Sequence, residues 1–404
     1  MTNDKPSLVE VLGEQERLGC VDMLRGLVMV IMALDHVRWF FTNAYSFDPT
    51  DLTRTTASLF FTRWITHFCA PVFVLLAGTG SFLSASRGRT KKNIAGFLLS
   101  RGLWIVLIDF FLVHTFGWWF NVDYHLIYGD VLWAVGCSMV VMAALIFLPT
   151  RFIAAVAVAT VMFHNMLDSI RVGSSGSFHW LWAILHSGEP LEPFPGIHFV
   201  PGYPLVPWIG VMAGGYAFGK LLVRQQDKRG RELLRLGIGL TLAFVVIRAA
   251  NLYGDPRAWS AQKTGLFTLM SFINCEKYPP SLLYLLMTLG PAITGLSLLE
   301  RVPYSIGRTL ATLGRVPMFY YLLHLALIHL LAVACTYARS GDASWMFKNP
   351  TWPVNMLLPF PEGYGYGLAM VYAIWIGVLL VIYPACRWFA DVKRRRCDWW
   401  LSYL

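Results

Sequence analysis

Ten stretches of this chain are apolar for about 20 residues each, the length of helix that spans a bilayer core about 30 Å thick. They lie near 21-42, 62-84, 96-117, 129-148, 152-170, 204-223, 235-253, 280-299, 316-337 and 364-387. Hydrocarbon offers no partner to a backbone amide, so each span must close its own hydrogen bonds as a helix. The pattern therefore predicts an all-α, polytopic transmembrane helical bundle of about ten spans. The fifth run is the weakest, because Asn165 and Asp168 sit near its end. The longest polar connections, 171-203 and 339-363, are rich in Pro and aromatic residues and predict ordered caps over the bundle. No internal repeat or soluble domain interrupts the pattern. One membrane domain over 17-390 is expected, with a cytoplasmic tail at 1-16 and a basic, aromatic cytoplasmic tail at 391-404.

Composition agrees with lipid contact. The 404 residues are 56% hydrophobic and 14% charged, with mean hydropathy +0.54; a soluble domain carries about 25% charged residues. The 16 Trp and 17 Tyr suit interfacial belts. A net charge of +10 could suggest nucleic acid, but the basic residues form short blocks between apolar runs. Such blocks are what the positive-inside rule produces, so nucleic acid is not an expected partner. With the N-terminus inside, 23 of the 33 Lys and Arg fall at the cytoplasmic end. The expected topology is N-in and C-in. The first twenty residues are polar and lack a cleavable signal, so the first run is expected to stay as an anchor. Seven scattered cysteines without CxxC spacing predict neither a disulfide framework nor a zinc site.

Depth singles out candidate chemistry. All ten histidines lie in outer segments or within helices. Counted from Arg25 at 1.5 Å per residue, Asp35 and His36 lie roughly 15 Å in, near the midplane. From Arg101, Asp109 is about 12 Å in and His114 about 20 Å. From Arg315, His324 is about 14 Å in and His329 about 21 Å. A charge at this depth costs several kcal/mol unless it is paired or faces a cavity. Asp35, His36, Asp109 and His324 are therefore expected to form one polar pocket. Asp22 with Arg25, and Asp35 with Arg38, are spaced to pair on one helix face. Tyr320 is placed to orient His324. Asp35 and His36 point about 100° apart and are expected to find different partners. The plainer readings are a structural ion pair for Asp22 and Arg25, a solvated ring for His67, and packing for His114 and His329. Of the basic residues Arg87, Arg89, Arg101, Arg308 and Arg315, each serves topology first, and each could also hold a phosphorylated ligand. No HxH, HExxH or His/Cys spacing supports a metal, and no P-loop, GxSxG or GxGxxG is present in its required context.

These segments resemble the bacterial relatives of the heparan-α-glucosaminide N-acetyltransferase catalytic domain. The likeness rests on VDMLRGLVMVIMALDH (21-36), THFCAPVFVLLAG (66-78), YPLVPWIGVMAGGYAFG (203-219), KYPPSLLYLLMTLGP (277-291) and LGRVPMFYYLLHLALIHLLA (313-332). It implies a helical bundle that moves an acetyl group from acetyl-CoA, across the membrane, to an amino sugar or similar acceptor. The lysosomal member has Asn in place of Asp35, and its proposed catalytic His follows the first helix, where this chain has Tyr45, Ser46 and Phe47. His36 is the local substitute, as general base or acyl carrier. Asp35 would then tune a partner ring, His67 or His324. Inner basic residues, with Arg101, Arg308 and Arg315 foremost, would hold the acetyl-CoA phosphates. The implied location is a bacterial inner membrane. The expected partners are the lipid bilayer, acetyl-CoA and an envelope saccharide, with a homodimer as the assembly to consider and no metal.

Two other classes compete. A proton-coupled transporter of an envelope metabolite would use the same Asp/His layer, although the chain lacks an inverted repeat. A scaffold docked by its basic tail would not need that layer.

Overall fold

The computed structural model describes residues 8–86, 88–170, 172–173, 176–348, 360–396 and 398–403. Arg87 and Cys397 lie outside the described residues. The long helix α1 (Leu8–Phe41) is followed by α2 (Ala57–Ile65), which passes through a 3-10 turn into α3 (Cys69–Ser86). Helix α4 (Lys91–Leu107) widens into π-helical turns over Ile108–Trp119, then a short strand β1 (Leu126–Tyr128) leads to α5 (Val131–Leu145). Next come α6 (Thr150–Phe163), the short α7 (Ser177–Trp182), β2 (Leu191–Phe194) and β3 (Ile197–Val200). The chain continues through α8 (Leu205–Leu222), α9 (Gln226–Ala250), α10 (Gly265–Ile273), α11 (Leu282–Leu299), α12 (Tyr304–Gly314), α13 (Pro317–Ser340) and α14 (Leu368–Arg395).

The all-α membrane bundle expected from the apolar runs is what forms. Among the described residues, eight segments are long and apolar enough to cross a membrane. The two remaining runs form α1 and α5. Helix α1 carries Asp22, Arg25, Asp35 and Arg38 along its length. Helix α5 has only 15 residues, about 22 Å of rise, because Asp130 caps its start inside the bundle and Pro149 follows its end. Only 17% of the most apolar window of α14 and 22% of that of α9 is buried, against 67% for α8. Helix α8 is therefore core, while α9 and α14 turn Val246, Leu380 and Trp388 outward, as lipid-facing helices do.

Helix α1 is central, touching α3, α11, α12, α13 and α14. Between lipid-embedded helices there is little hydrophobic drive, so close packing and small residues bring backbones together. Gly26 and Gly314 meet the α12 and α1 backbones respectively, and a Cβ at either would collide with a carbonyl. Gly78 with Gly215 does the same for α3 and α8, and Gly102 with Gly136 for α4 and α5.

One departure from an all-helical chain lies at the end opposite the basic blocks. There β3 pairs parallel with β1 and antiparallel with β2. Gly202 leaves room for the Tyr128 ring to lie across the following chain. This sheet caps one end of the bundle. The other end gathers Arg25, Arg101, Arg315 and Lys393 and is called the basic end below.

Gly26→Val should overpack the α1–α12 contact, lowering stability by about 1–3 kcal/mol. Gly96→Ala, where nothing lies within 4 Å of the added carbon, should hold or raise stability by up to about 1 kcal/mol. Thermal midpoints of the purified protein in detergent would read both.

Candidate functional site

The polar layer is built on α1. Asp35 accepts from Arg38 Nη2 at 2.9 Å and Nε at 3.3 Å through Oδ1. It accepts from Arg63 Nη1 at 2.5 Å through Oδ2. Both guanidinium groups are nearly buried. The i,i+3 pairing with Arg38 is as expected, but the second partner is an arginine and not the ring of His67 or His324. The reason is geometric: α2 runs past α1 and aims Arg63 at the carboxylate, while His67 sits one turn further on, in the 3-10 turn. The His67 Nδ1 has no hydrogen-bond partner among the described residues, and its carbonyl accepts from the Tyr284 hydroxyl at 2.7 Å. Its ring does not line the site.

His36 and His324 are joined by a hydrogen bond. His324 Nδ1 faces the Tyr320 carbonyl at 2.9 Å, which can only accept, so that nitrogen carries the proton. His324 Nε2 must then accept, and His36 Nδ1 donates to it at 2.8 Å. The assignment leaves the lone pair of His36 on Nε2. The ring is fixed edge-on against Trp118, with centroids 5.4 Å apart. Tyr320 orients His324 through its backbone and by ring stacking at 4.9 Å, while its hydroxyl donates to the Met29 carbonyl.

Asp35 and His36, expected to face different partners, both border one cavity of about 260 Å³ toward the capped end. Asp109 and His114 also line it, whereas His324 stands behind His36, fully buried. Asp109 Oδ2 accepts from the amides of Asp130 at 3.1 Å and Trp133 at 3.0 Å, closing the start of α5. Its Oδ1 has no hydrogen-bond partner among the described residues. His114 Nε2 donates to the Asp123 carbonyl at 2.8 Å and its ring stacks on Tyr124. His329 is packed between Phe40 and Phe120 and donates to the Gly117 carbonyl, the packing role. Tyr128 and Tyr203 complete the wall, and burial pushes both phenols well above their usual range, so they stand as neutral hydroxyls.

A second cavity, of about 350 Å³, lies toward the basic end. Arg25, Arg101, Arg315 and Lys393 line it, among apolar side chains such as Phe73, Leu76 and Ile94. Asp22 bonds Arg25 at 2.9 Å and approaches Arg315 at 3.6 Å, and Arg25 also donates to the Gly314 carbonyl. This ties α1 to the α12–α13 junction. Arg308 is exposed and does not line this cavity, which separates it from Arg101 and Arg315: it lies two turns before Arg315 along α12, about 10 Å away along the axis. A small chamber of about 40 Å³ lies between the two cavities. It shares Asp35, His36 and Lys277 with the first, and Met32, Phe73 and Tyr321 with the second.

Depth counting along single helices did not find Arg63, Lys277, Tyr278, Asp130 or Lys393. Lys277 is nearly buried, at 8% exposure, in the connection before α11. Its sequence signals are a charge beside an apolar run and its place at the head of the 277-291 stretch.

Residues 17–250 match the family model described as heparan-alpha-glucosaminide N-acetyltransferase, catalytic. That span holds Asp35, His36, Arg63, Asp109 and Tyr203, while Lys277, Tyr321 and His324 follow it. No curated protein matches the chain.

Asp35→Asn should leave Arg38 and Arg63 buried without their counter-charge and cost about 3–5 kcal/mol. Asp391→Asn, which breaks the exposed Arg394 pair, should leave the thermal midpoint within error. The comparison is made by thermal unfolding in one detergent.

Proposed function

The chain belongs to the heparan-alpha-glucosaminide N-acetyltransferase catalytic family, and on that premise we propose that it moves an acetyl group from acetyl-CoA, held at the basic end, to an amino sugar or other envelope saccharide entering from the capped end. The family is one of membrane acetyltransferases, and, among the described residues, eight helices long and apolar enough to cross a membrane support a multi-pass membrane protein. The proposal sets it in a bacterial inner membrane with both termini and the basic end cytoplasmic, as the Lys and Arg distribution favours.

The observation that carries this reading is the chamber: His36 lines it, and most of its other lining residues are shared with the cavity on one side or the other. The basic cavity fits the donor by its chemistry. Arg101, Arg315 and Lys393 can take phosphate oxygens, and the apolar walls suit a pantetheine arm. The other cavity, with Trp118, Trp119 and several hydroxyls and carboxylates, suits the faces and edges of a sugar ring. His36 Nε2 takes the proton from the acceptor as the new bond to the acetyl carbon forms and the C–S bond breaks, then returns it to the departing thiolate. His324 holds the ring in that tautomer and stabilises it when charged. Lys277 brings positive charge to the chamber, where the acetyl oxygen gains negative charge. Asp35 holds Arg38 and Arg63 in place. A proton-coupled carrier would need no basic cavity of this size.

Labelled acetyl-CoA binding and acetyl transfer to glucosamine, measured in detergent, test the proposal. His36→Ala should lower transfer about a hundred- to ten-thousand-fold while donor binding persists. Arg101→Ala and Arg315→Ala should raise KM for acetyl-CoA more than they lower kcat. Wild-type transfer by both His36→Ala and Asp35→Asn would exclude the mechanism. Uptake driven by a pH gradient, without acetyl-CoA binding, would favour the carrier.

A further inference from the structure

Lys277 reaches the cavity from the connection between α10 and α11, not from a helix. Connections move more than the elements they join, and a lysine adds a flexible four-carbon stem. Stabilising a developing charge needs a cation that is already in place. Lys277 is nonetheless nearly buried, with Nζ 4.9 Å from the centre of the Tyr278 ring. The groups that hold its backbone stand outside both cavities.

Asp255, in the loop between α9 and α10, has a fully buried carboxylate and lines neither cavity. Its Oδ2 accepts from the Glu276 amide at 2.8 Å and from the Ser281 hydroxyl at 2.6 Å. One oxygen therefore gathers both ends of the stretch 277–280. The Ser281 amide donates to the Glu276 carbonyl at 3.0 Å and closes the same loop. Arg248, also buried, stands 3.7 Å from Asp255 Oδ1 and offsets its charge. It donates as well to the Ser271, Phe272 and Asn274 carbonyls, tying the end of α10 to α9. From the end of α6, His164 Nε2 donates to the Pro280 carbonyl at 2.8 Å, and Asn165 Oδ1 accepts from the Leu282 amide at 2.8 Å. Asp168 fixes Asn165 by accepting from its side-chain amide at 2.8 Å. The polar residues that weaken the fifth apolar run thus serve this connection. A buried ion pair is a poor source of stability, because desolvation offsets much of its attraction. So many groups converging on so short a stretch answer a demand for position.

Resting on the transferase reading above, in which Lys277 steadies the charge on the acetyl oxygen, we infer that Asp255 is a positioning residue for that step. It holds the connection that presents Lys277 to the site, with Arg248 matching its charge and His164 and Asn165 bracing the stretch from α6. Its effect on the reaction passes through Lys277. Asp255→Asn keeps the shape but replaces one acceptor oxygen with an NH2, which must then face either Arg248 or the Glu276 amide.

The test pairs a labelling measurement, which needs no activity, with a double-mutant cycle. In detergent, a brief pulse of acetic anhydride followed by peptide mass analysis reads how readily each lysine reacts. In Asp255→Asn, Lys277 should label several-fold faster than in the wild type, while exposed Lys92 labels at an unchanged rate. In transfer from acetyl-CoA to glucosamine, Asp255→Asn should lower kcat about ten- to a hundred-fold and leave KM for acetyl-CoA largely unchanged. In a Lys277→Ala background the same substitution should cost little more, since residues acting as a unit are not additive. Ser281→Ala removes only the hydroxyl link and should give the same pattern in smaller degree; it carries the test if Asp255→Asn does not remain monodisperse. Unchanged Lys277 labelling would overturn the inference. So would an equal loss of kcat in both backgrounds, which a purely structural role gives. Either result leaves the transferase reading standing. If the wild type transfers no acetyl group, the functional reading falls and the role in that step with it, while the labelling still reports whether Asp255 holds Lys277.

Discussion

A carboxylate held between two guanidinium groups makes the interior of this bundle tolerable. Asp35, Arg38 and Arg63 are three charges in a place where a lone one costs several kcal/mol. Mutual pairing lowers that cost, and the cavity beside them lowers it further. Because Asp35 binds an arginine from its own helix and another from α2, it also sets how α2 lies against α1. The 3-10 turn and α3 follow from there. His36 is the next residue along α1, so the pair that anchors the helices also aims the imidazole. Stability and chemistry share one turn of helix here.

The large features were legible because membrane physics is written plainly in sequence. Apolar run length gave the helices, and basic blocks marked the end where Arg25, Arg101 and Arg315 gather. Depth counting along three helices brought Asp35, His36, Asp109 and His324 to one layer, since rise per residue is a reliable ruler in a helix. It could not tell which side of a helix each residue faced. His324 lies behind His36 rather than beside the cavity, and Asp35 found arginines instead of a ring. The ruler also fails where helices stop. Lys277 enters from a connection, Arg63 from the start of an apolar run, and Tyr128 from a three-residue strand whose partner lies some seventy positions later. The 129-148 run reads as a full span, yet Asp130 and Pro149 cut the helix to Val131–Leu145. Capping chemistry outweighed hydropathy at that point.

The start of α5 inside the bundle matters for the site. Its first amides point into the interior and are met by Asp109 and Asp130. A helix that begins inside the bundle leaves space above it, and the larger polar cavity occupies that space. The sheet β1–β3–β2 and Tyr128 roof it. Loop, strand and helix end thus build one wall, which no single helical span could have done.

Two cavities that enter the bundle from opposite ends, with a small chamber between them, would also reshape the electric field. Where water reaches deep from both faces, a transmembrane voltage falls mostly across the thin insulating part between them. An elementary charge crossing the neck at Met32 and Tyr321 would then work against nearly the whole potential, about 2.3 kcal/mol per 100 mV, although it travels only a few ångströms. A neutral group crossing the same neck would feel none of it. A neck of this shape would favour an uncharged group at any voltage, while an ion would meet the full force of the membrane.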